Sequence, residues 1–230
     1  MIVSHKHKFI FLKTKKTAGT SIELALTKLC GEDDIITPLA EADEAARAGG
    51  MGAQNWERHG WWQSRRPFLK RRMFRRVAQD YGFYNHMTAK AAKELLDDDQ
   101  VWDSYFKFAF DRNPWDRQVS YYHHCYRNQS ERPSFDRFVE SDRRARLNNF
   151  DIYAIDGEVA VDFVGRYETL AEDLKHALSQ VHIRDDVALP RAKGTFRKDP
   201  TPYRDYYTPE TQRRVGEWYR REIALLDYEF

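Results

Sequence analysis

The sequence predicts an α/β fold of three layers, a central parallel sheet flanked by helices. Three observations predict it. A short apolar run, Phe9-Ile10-Phe11-Leu12, passes through Ala18 and Gly19 straight into a helical pattern that starts at Thr20. A second, aromatic run from Phe106 to Phe110 leads into another helix through Asn113 and Pro114. Strand and helix patterns alternate, which indicates parallel strands joined by crossovers, with ligands bound beyond the strands' carboxyl ends.

In chain order, Lys8 to Lys13 forms a strand and Thr20 to Leu29 a helix. Between Trp56 and Val77, Leu69, Met73 and Val77 recur at helical spacing among Arg65, Arg66, Lys70, Arg71, Arg72, Arg75 and Arg76, an amphipathic basic helix. Thr88 to Leu96 is helical and Phe106 to Asp111 is a strand. Asn113 caps the next helix, with Pro114 as its first residue. Ser134 caps a helix through Phe138, and Thr169 with Glu172 forms a capping box for one that runs to about Val181. Thr208-Pro209-Glu210 starts the last helix.

Composition bounds the function. The 230 residues suit one domain, residues 1–230, with one core. A net charge of +2 gives no long-range attraction to nucleic acid. No apolar run is long enough to span a membrane, and the first residues, Met-Ile-Val-Ser-His-Lys-His-Lys, do not read as a signal sequence, so a soluble, cytoplasmic protein is expected. Cys30 and Cys125 lie far apart without Cys-x-x-Cys spacing, which favours buried free thiols over a disulfide or a metal site.

Both strand-to-helix junctions suit anions. At the first, Ala18 and Gly19 permit a close turn, Thr20 and Ser21 carry hydroxyls, and the first amides of the helix lack internal partners, with Lys16 at the mouth. A Walker A loop requires lysine after the glycines with a hydroxyl beside it, and here Lys16 precedes the turn. The lysine then meets the anion from the strand side, near the atom bonded to the terminal group. At the second junction Arg112 ends the strand and Ser120 lies on the following helix. A guanidinium fork suits phosphate oxygens, although a single arginine more often pairs with a surface carboxylate.

Together these motifs resemble the sulfotransferases that use 3′-phosphoadenosine 5′-phosphosulfate, closest to the family that holds carbohydrate and heparan or uronyl 2-O-sulfotransferases. In that family Pro-Lys-Thr-Gly/Ala-Gly/Ser-Thr-Ser forms the 5′-phosphosulfate loop; Lys16 through Ser21 match it, with Lys15 in place of proline. The 3′-phosphate pattern fits Arg112, Pro114, Arg117, Ser120 and Tyr122. Val161 to Glu168 is similar to the family's late strand, and Tyr206 to Phe230 to its closing helix.

The resemblance implies a P-loop-like fold and a set of roles. Lys16, Thr17, Ala18, Gly19, Thr20 and Ser21 would hold the 5′-phosphosulfate, Arg112 and Ser120 the 3′-phosphate, and Lys193 and Arg197 would belong to a loop that closes over the donor. His86 occupies the place of a catalytic histidine, and an imidazole titrating near neutral pH suits a base. Lys16 would neutralise the bridging oxygen as adenosine 3′,5′-bisphosphate leaves. No Walker B pattern or carboxylate cluster is evident, so no metal is expected. His59, His123, His124, His176 and His182 are read as surface or core groups.

The basic, Trp- and Arg-rich stretch from about 47 to 84 departs from the family's shared elements and is read as an acceptor-side insertion. Trp61 and Trp62 can stack on sugar rings or serve equally as core, and residues 65–77 can meet an anionic acceptor or a membrane surface, or form a solvated cationic face paired with acidic stretches such as Asp97-Asp98-Asp99. A saccharide or glycolipid hydroxyl is the expected acceptor. The rival readings are a phosphate-loop kinase using ATP and magnesium, and a polyanion-binding module whose affinity falls steeply with salt.

Overall fold

A computed structural model describes residues 1–47, 49–57, 82–96, 98–141, 146–184, 187–190 and 201–230. The expected basic helix between Trp56 and Val77 lies almost wholly outside the described residues, as do Trp61, Trp62, Lys193 and Arg197.

Among the described residues the strands are β1 (Ile2–Ser4), β2 (Phe9–Leu12), β3 (Ile35–Ile36), β4 (Phe106–Asp111), β5 (Ala154–Ile155), β6 (Glu158–Val159) and β7 (Phe163–Arg166). Among the described residues the α-helices are α1 (Gly19–Leu26), α2 (Glu41–Glu44), α3 (Ala89–Leu95), α4 (Asp99–Ser104), α5 (Pro114–Cys125), α6 (Phe135–Glu140), α7 (Phe150–Tyr153), α8 (Leu170–Gln180), α9 (Pro209–Trp218) and α10 (Arg220–Leu226). A five-stranded sheet has the order β3-β1-β2-β4-β7, and β5 and β6 form a separate small ribbon.

The expected parallel sheet holds at its centre. β2 pairs parallel with β4 and β4 with β7, in register Phe9 to Phe106 and Phe108 to Phe163. The other edge corrects it: β1 is antiparallel to both β2 and β3, so one strand runs against the rest. Ile2-Val3-Ser4 carries no helical or turn punctuation of its own and becomes a strand because it is paired on both sides.

Alternation along β2 and β4 sends residues to two faces. Ile10, Leu12 and Ala109 pack with α3 and α7 through Ala92, Ile152 and Tyr153. Phe9, Phe11, Phe108 and Phe110 pack with Ile22 and Leu26 of α1 and Leu174, Ala177 and Leu178 of α8. With both faces covered, β2 reads as an unbroken apolar run, as a central strand buried on both faces should. Each of the four phenylalanines is almost wholly buried, which stabilises by about 1.5–3 kcal/mol apiece. Gly165 of β7 makes this packing possible, since a Cβ there would stand 2.5 Å from the Phe110 ring.

Several helix starts follow their local signals. Thr88, Asn113 and Ser134 each accept a first-turn amide, and Thr208 forms a capping box with Thr211. The expected box at Thr169 and Glu172 does not form. A 3-10 turn over Tyr167–Thr169 precedes α8, and the Asp173 carboxylate instead accepts from the Arg166 amide at 2.6 Å and the Thr169 hydroxyl at 3.1 Å. Helix α1 ends at Leu26 rather than Leu29, where Thr27 bonds back to the Leu24 carbonyl. Both cysteines are free, as expected, but only Cys30 is buried; Cys125, at the end of α5, is exposed. Burial, with Asp34 beside it, pushes the Cys30 thiol up to about 12.

Candidate functional site

The loop between β2 and α1 is shaped by two left-handed residues, Lys16 (φ 64°) and Ala18 (φ 59°). Ala18 is the N-cap of α1, and its carbonyl accepts from Ile22 at 3.1 Å. Non-glycine residues seldom hold this conformation, and pairs of them mark sites where the surroundings impose it. Gly19 serves a different purpose: a Cβ there would lie 2.6 Å from Cγ of Lys13, whose buried side chain crosses the helix start to reach Glu23 Oε2 at 2.5 Å.

Inside the loop, the Thr14 hydroxyl donates to the Phe110 carbonyl and therefore accepts from Thr17 at 2.7 Å. The Thr17 hydroxyl is thus turned inward, and Thr17, almost wholly buried, is not among the residues that line the cleft, unlike its expected partners in the loop. Lys16, Ala18, Gly19, Thr20 and Ser21 border a cleft of about 1050 Å³. The strain at Ala18 gives a direct check. Ala18→Gly should be neutral or stabilising by up to about 1 kcal/mol, and the β-branched Ala18→Val should cost about 1–2 kcal/mol, measured by chemical denaturation.

Arg112, just past β4, also borders the cleft, and so does Ser120 of α5. The Arg112 side chain is only 11% exposed; Nε and Nη2 donate to Asp116 Oδ2 at 2.8 and 2.6 Å, and the guanidinium lies 4.2 Å from the centre of the Tyr167 ring. Nη1 points to the Lys16 carbonyl at 3.5 Å, so the second motif touches the first loop. Arg117 belongs elsewhere. It is fully buried, paired with Asp111 and Glu222 and stacked 4.4 Å from the Tyr219 ring. Burial alone would lower its pKa, but Asp111, Tyr219 and Glu222 outweigh that and raise it. Tyr122 likewise joins the aromatic core and donates to the Pro133 carbonyl at 2.6 Å.

His86 reaches the same cleft from the turn before α3. Its backbone is left-handed (φ 60°), and Nδ1 lies 2.9 Å from the Lys13 carbonyl. A carbonyl only accepts, so Nδ1 carries the proton and Nε2 keeps a lone pair. Burial, with Lys13 and Lys15 nearby, pushes the imidazole down to about 4. The expectation that it titrates near neutral pH is therefore corrected: His86 stays neutral through that range because charging it would strand a cation in a desolvated, already positive corner.

Two histidines read as surface or core groups also line the cleft, His123 and His124. Arg132 donates to His123 Nδ1 at 3.2 Å, which leaves the ring proton on Nε2, 2.9 Å from the Tyr206 hydroxyl. Tyr167, Leu170, Leu189 and Pro190 give one part of the cleft an apolar wall. Tyr167 lies in the stretch that resembles the family's late strand but is given no role by it, and Asn149, which grips the loop at Lys15, carries no motif signal. Among the described residues no group of three His, Cys, Asp or Glu side chains stands close enough to hold a metal ion. None of the helices among them is long and apolar enough to cross a membrane.

A sequence model described as "Sulfotransferase family" matches residues 1–229. An uncharacterised protein of Archaeoglobus fulgidus is 33% identical over 92 residues, covering 38% of this chain and 77% of that protein. No solved structure matches the chain.

Proposed function

The chain belongs to the sulfotransferase family, and we propose that it moves a sulfuryl group from 3′-phosphoadenosine 5′-phosphosulfate to a hydroxyl of a carbohydrate or glycolipid by in-line displacement. One observation carries the reading: Lys16 and Ala18 to Ser21 of the loop, Arg112 with Ser120, and His86 all border one cleft beyond the ends of β2 and β4. Its volume of about 1050 Å³ is ample for a nucleotide, and its chemistry suits one. The first-turn amides of α1 and Lys16 meet a 5′-phosphosulfate, Arg112 and Ser120 a 3′-phosphate, and the apolar wall at Tyr167 and Leu170 a flat base. The same strand-end loop with Lys16 ahead of its turn is what a P-loop-like fold built for this donor would carry.

When bound, the donor supplies a sulfuryl group attached to a phosphate leaving oxygen. His86 Nε2 takes the proton of the acceptor hydroxyl, while the Lys13 carbonyl fixes the ring through Nδ1. Lys16 brings positive charge to the oxygen on which negative charge develops, and the α1 amides hold the phosphate still. Arg112, steadied by Asp116 and Tyr167, confers the preference for a 3′-phosphate. Lys193, Arg197 and the basic residues 65–77 are assigned to donor cover and to acceptor or membrane contact by resemblance and charge alone.

Calorimetric titration tests the donor side with adenosine 3′,5′-bisphosphate, magnesium ATP, and AMP, which lacks the 3′-phosphate. The bisphosphate should bind and the other two should not compete. Arg112→Ala should weaken bisphosphate binding by about 10–100-fold, the worth of charge-assisted hydrogen bonds, while leaving the weak affinity for AMP unchanged. Preference for magnesium ATP would instead support a kinase. Binding indifferent to the 3′-phosphate and to Lys16→Ala, but steeply salt-dependent, would support a polyanion module.

A further inference from the structure

We infer that Asn149 is a positioning residue that holds the donor loop in shape, replacing the rigidity that a proline at position 15 would give. The inference rests on the donor reading above for its functional consequence, and on geometry for its substance. Because residue 15 is lysine, it has a backbone N–H, and that N–H donates to Asn149 Oδ1 at 3.0 Å. The same side chain returns a bond from Nδ2 to the Lys15 carbonyl at 2.9 Å. One amide group therefore satisfies both polar atoms of a single loop residue, 134 positions away, as a neighbouring strand would.

Asn149 is fully buried, so these bonds face no competition from water. It stands at the N-cap of α7, where asparagine ordinarily bonds its own helix, yet its side chain makes no capping bond. The amide is diverted from its local task to the loop. Its Nδ2 also points to Asp111 Oδ1 at 3.3 Å, and Asp111 Oδ1 accepts the Arg112 amide at 2.8 Å. Asp111 Oδ2 accepts the Tyr153 hydroxyl at 3.0 Å, which fixes the carboxylate from α7.

The chain of contacts runs Lys15, Asn149, Asp111, Arg112. It sets the two phosphate-directed residues, Lys16 and Arg112, in register, since each follows a tethered neighbour by one position. It also accounts for the left-handed Lys16, because an unfavourable backbone persists only where its neighbours leave it no alternative. A proline at position 15 would lack the donor and drive its ring Cδ against Asn149 Oδ1, so proline and Asn149 are alternatives.

The test is a double-mutant cycle of Lys15→Pro and Asn149→Ala, with bisphosphate affinity read by calorimetry and exchange of the Lys15 amide read by NMR on lysine-labelled protein. Asn149→Ala should weaken binding about tenfold and expose the Lys15 amide to exchange. Lys15→Pro alone should weaken binding by a similar factor through its collision with Asn149. The double variant should recover most of the loss, a signature that general destabilisation does not produce. Wild-type affinity in Asn149→Ala, or losses that simply add, would overturn the inference. If Asn149→Ala fails to fold, fast exchange of the Lys15 amide in the unaltered protein overturns it and slow exchange, with weak binding by Lys15→Pro, upholds it. An unaltered protein that binds no bisphosphate refutes the donor reading, and the exchange data alone then decide the tether.

Discussion

His86→Gln should lower turnover by about 10²–10⁴-fold, the usual worth of a positioned base, with little change in affinity for the bisphosphate. Glutamine is an informative replacement because it is polar and close to imidazole in size, yet carries no basic lone pair. The pH profile adds a second readout. In the free protein His86 is pushed down to about 4 by burial, so the acid limb of kcat/KM should fall near that pH and disappear in the variant. The phosphates of the proposed donor would add negative charge beside the imidazole and raise its pKa, which would place the limb of kcat at higher pH.

The same shift appears in stability. An unfolded chain protonates the imidazole near ~6.5, whereas the folded one resists until about 4. Stability from this group is therefore full above the unfolded value and declines as pH falls toward the folded one, by on the order of 3 kcal/mol in all. Denaturation at pH 7 and pH 5 should show that slope in the unaltered protein and a smaller one in His86→Gln. Equal turnover by the two proteins would remove His86 as base while leaving the family assignment intact.

What the sequence discloses and what it conceals divide along a physical line. Phe9–Leu12 and Phe106–Asp111 are legible because a doubly covered strand needs an apolar run, and Asn113-Pro114 because a cap and a fixed φ are properties of adjacent residues. β1 is not, since three residues gain strand character only from partners at Phe9–Phe11 and Ile35–Ile36. Thr169 carries the local signal of a cap, but its hydroxyl donates to Asp173 and its side chain caps no amide of the helix. Arg112 and Arg117 are equivalent in a motif. Only the fold brings Glu222 against Arg117 and sends it to the interior, while Tyr167 and Asp116 keep Arg112 at the cleft. The inward turn of the Thr17 hydroxyl, the depressed pKa of His86 and the grip of Asn149 on Lys15 all depend on residues distant in sequence, which no spacing rule encodes.

Lys16→Asn should reduce turnover by about 10²–10³-fold, comparable to losing one preorganised donor at a developing oxyanion, while bisphosphate affinity falls by less than about tenfold. Asparagine isolates the charge because it tolerates the left-handed backbone that Lys16 holds, whereas alanine would add strain to the loss of the ammonium. The asymmetry between rate and binding follows from when the charge is needed. On the proposed reading the α1 amides and Arg112 would already neutralise much of the bound anion before reaction, so one lysine would add modestly to affinity. As the bond to the leaving oxygen breaks, charge concentrates on one atom beside the loop, and a cation fixed there by a constrained backbone gains most at that moment. Single-turnover kinetics separate the two contributions. A variant with normal single-turnover rate and a large loss of affinity would make Lys16 an anchor for the ground state and leave the departing oxygen to the amides of α1. Lys16→Arg sharpens the distinction, because it keeps the charge but not the compact ammonium: an anchor should tolerate it, whereas a group placed on one developing oxygen should not.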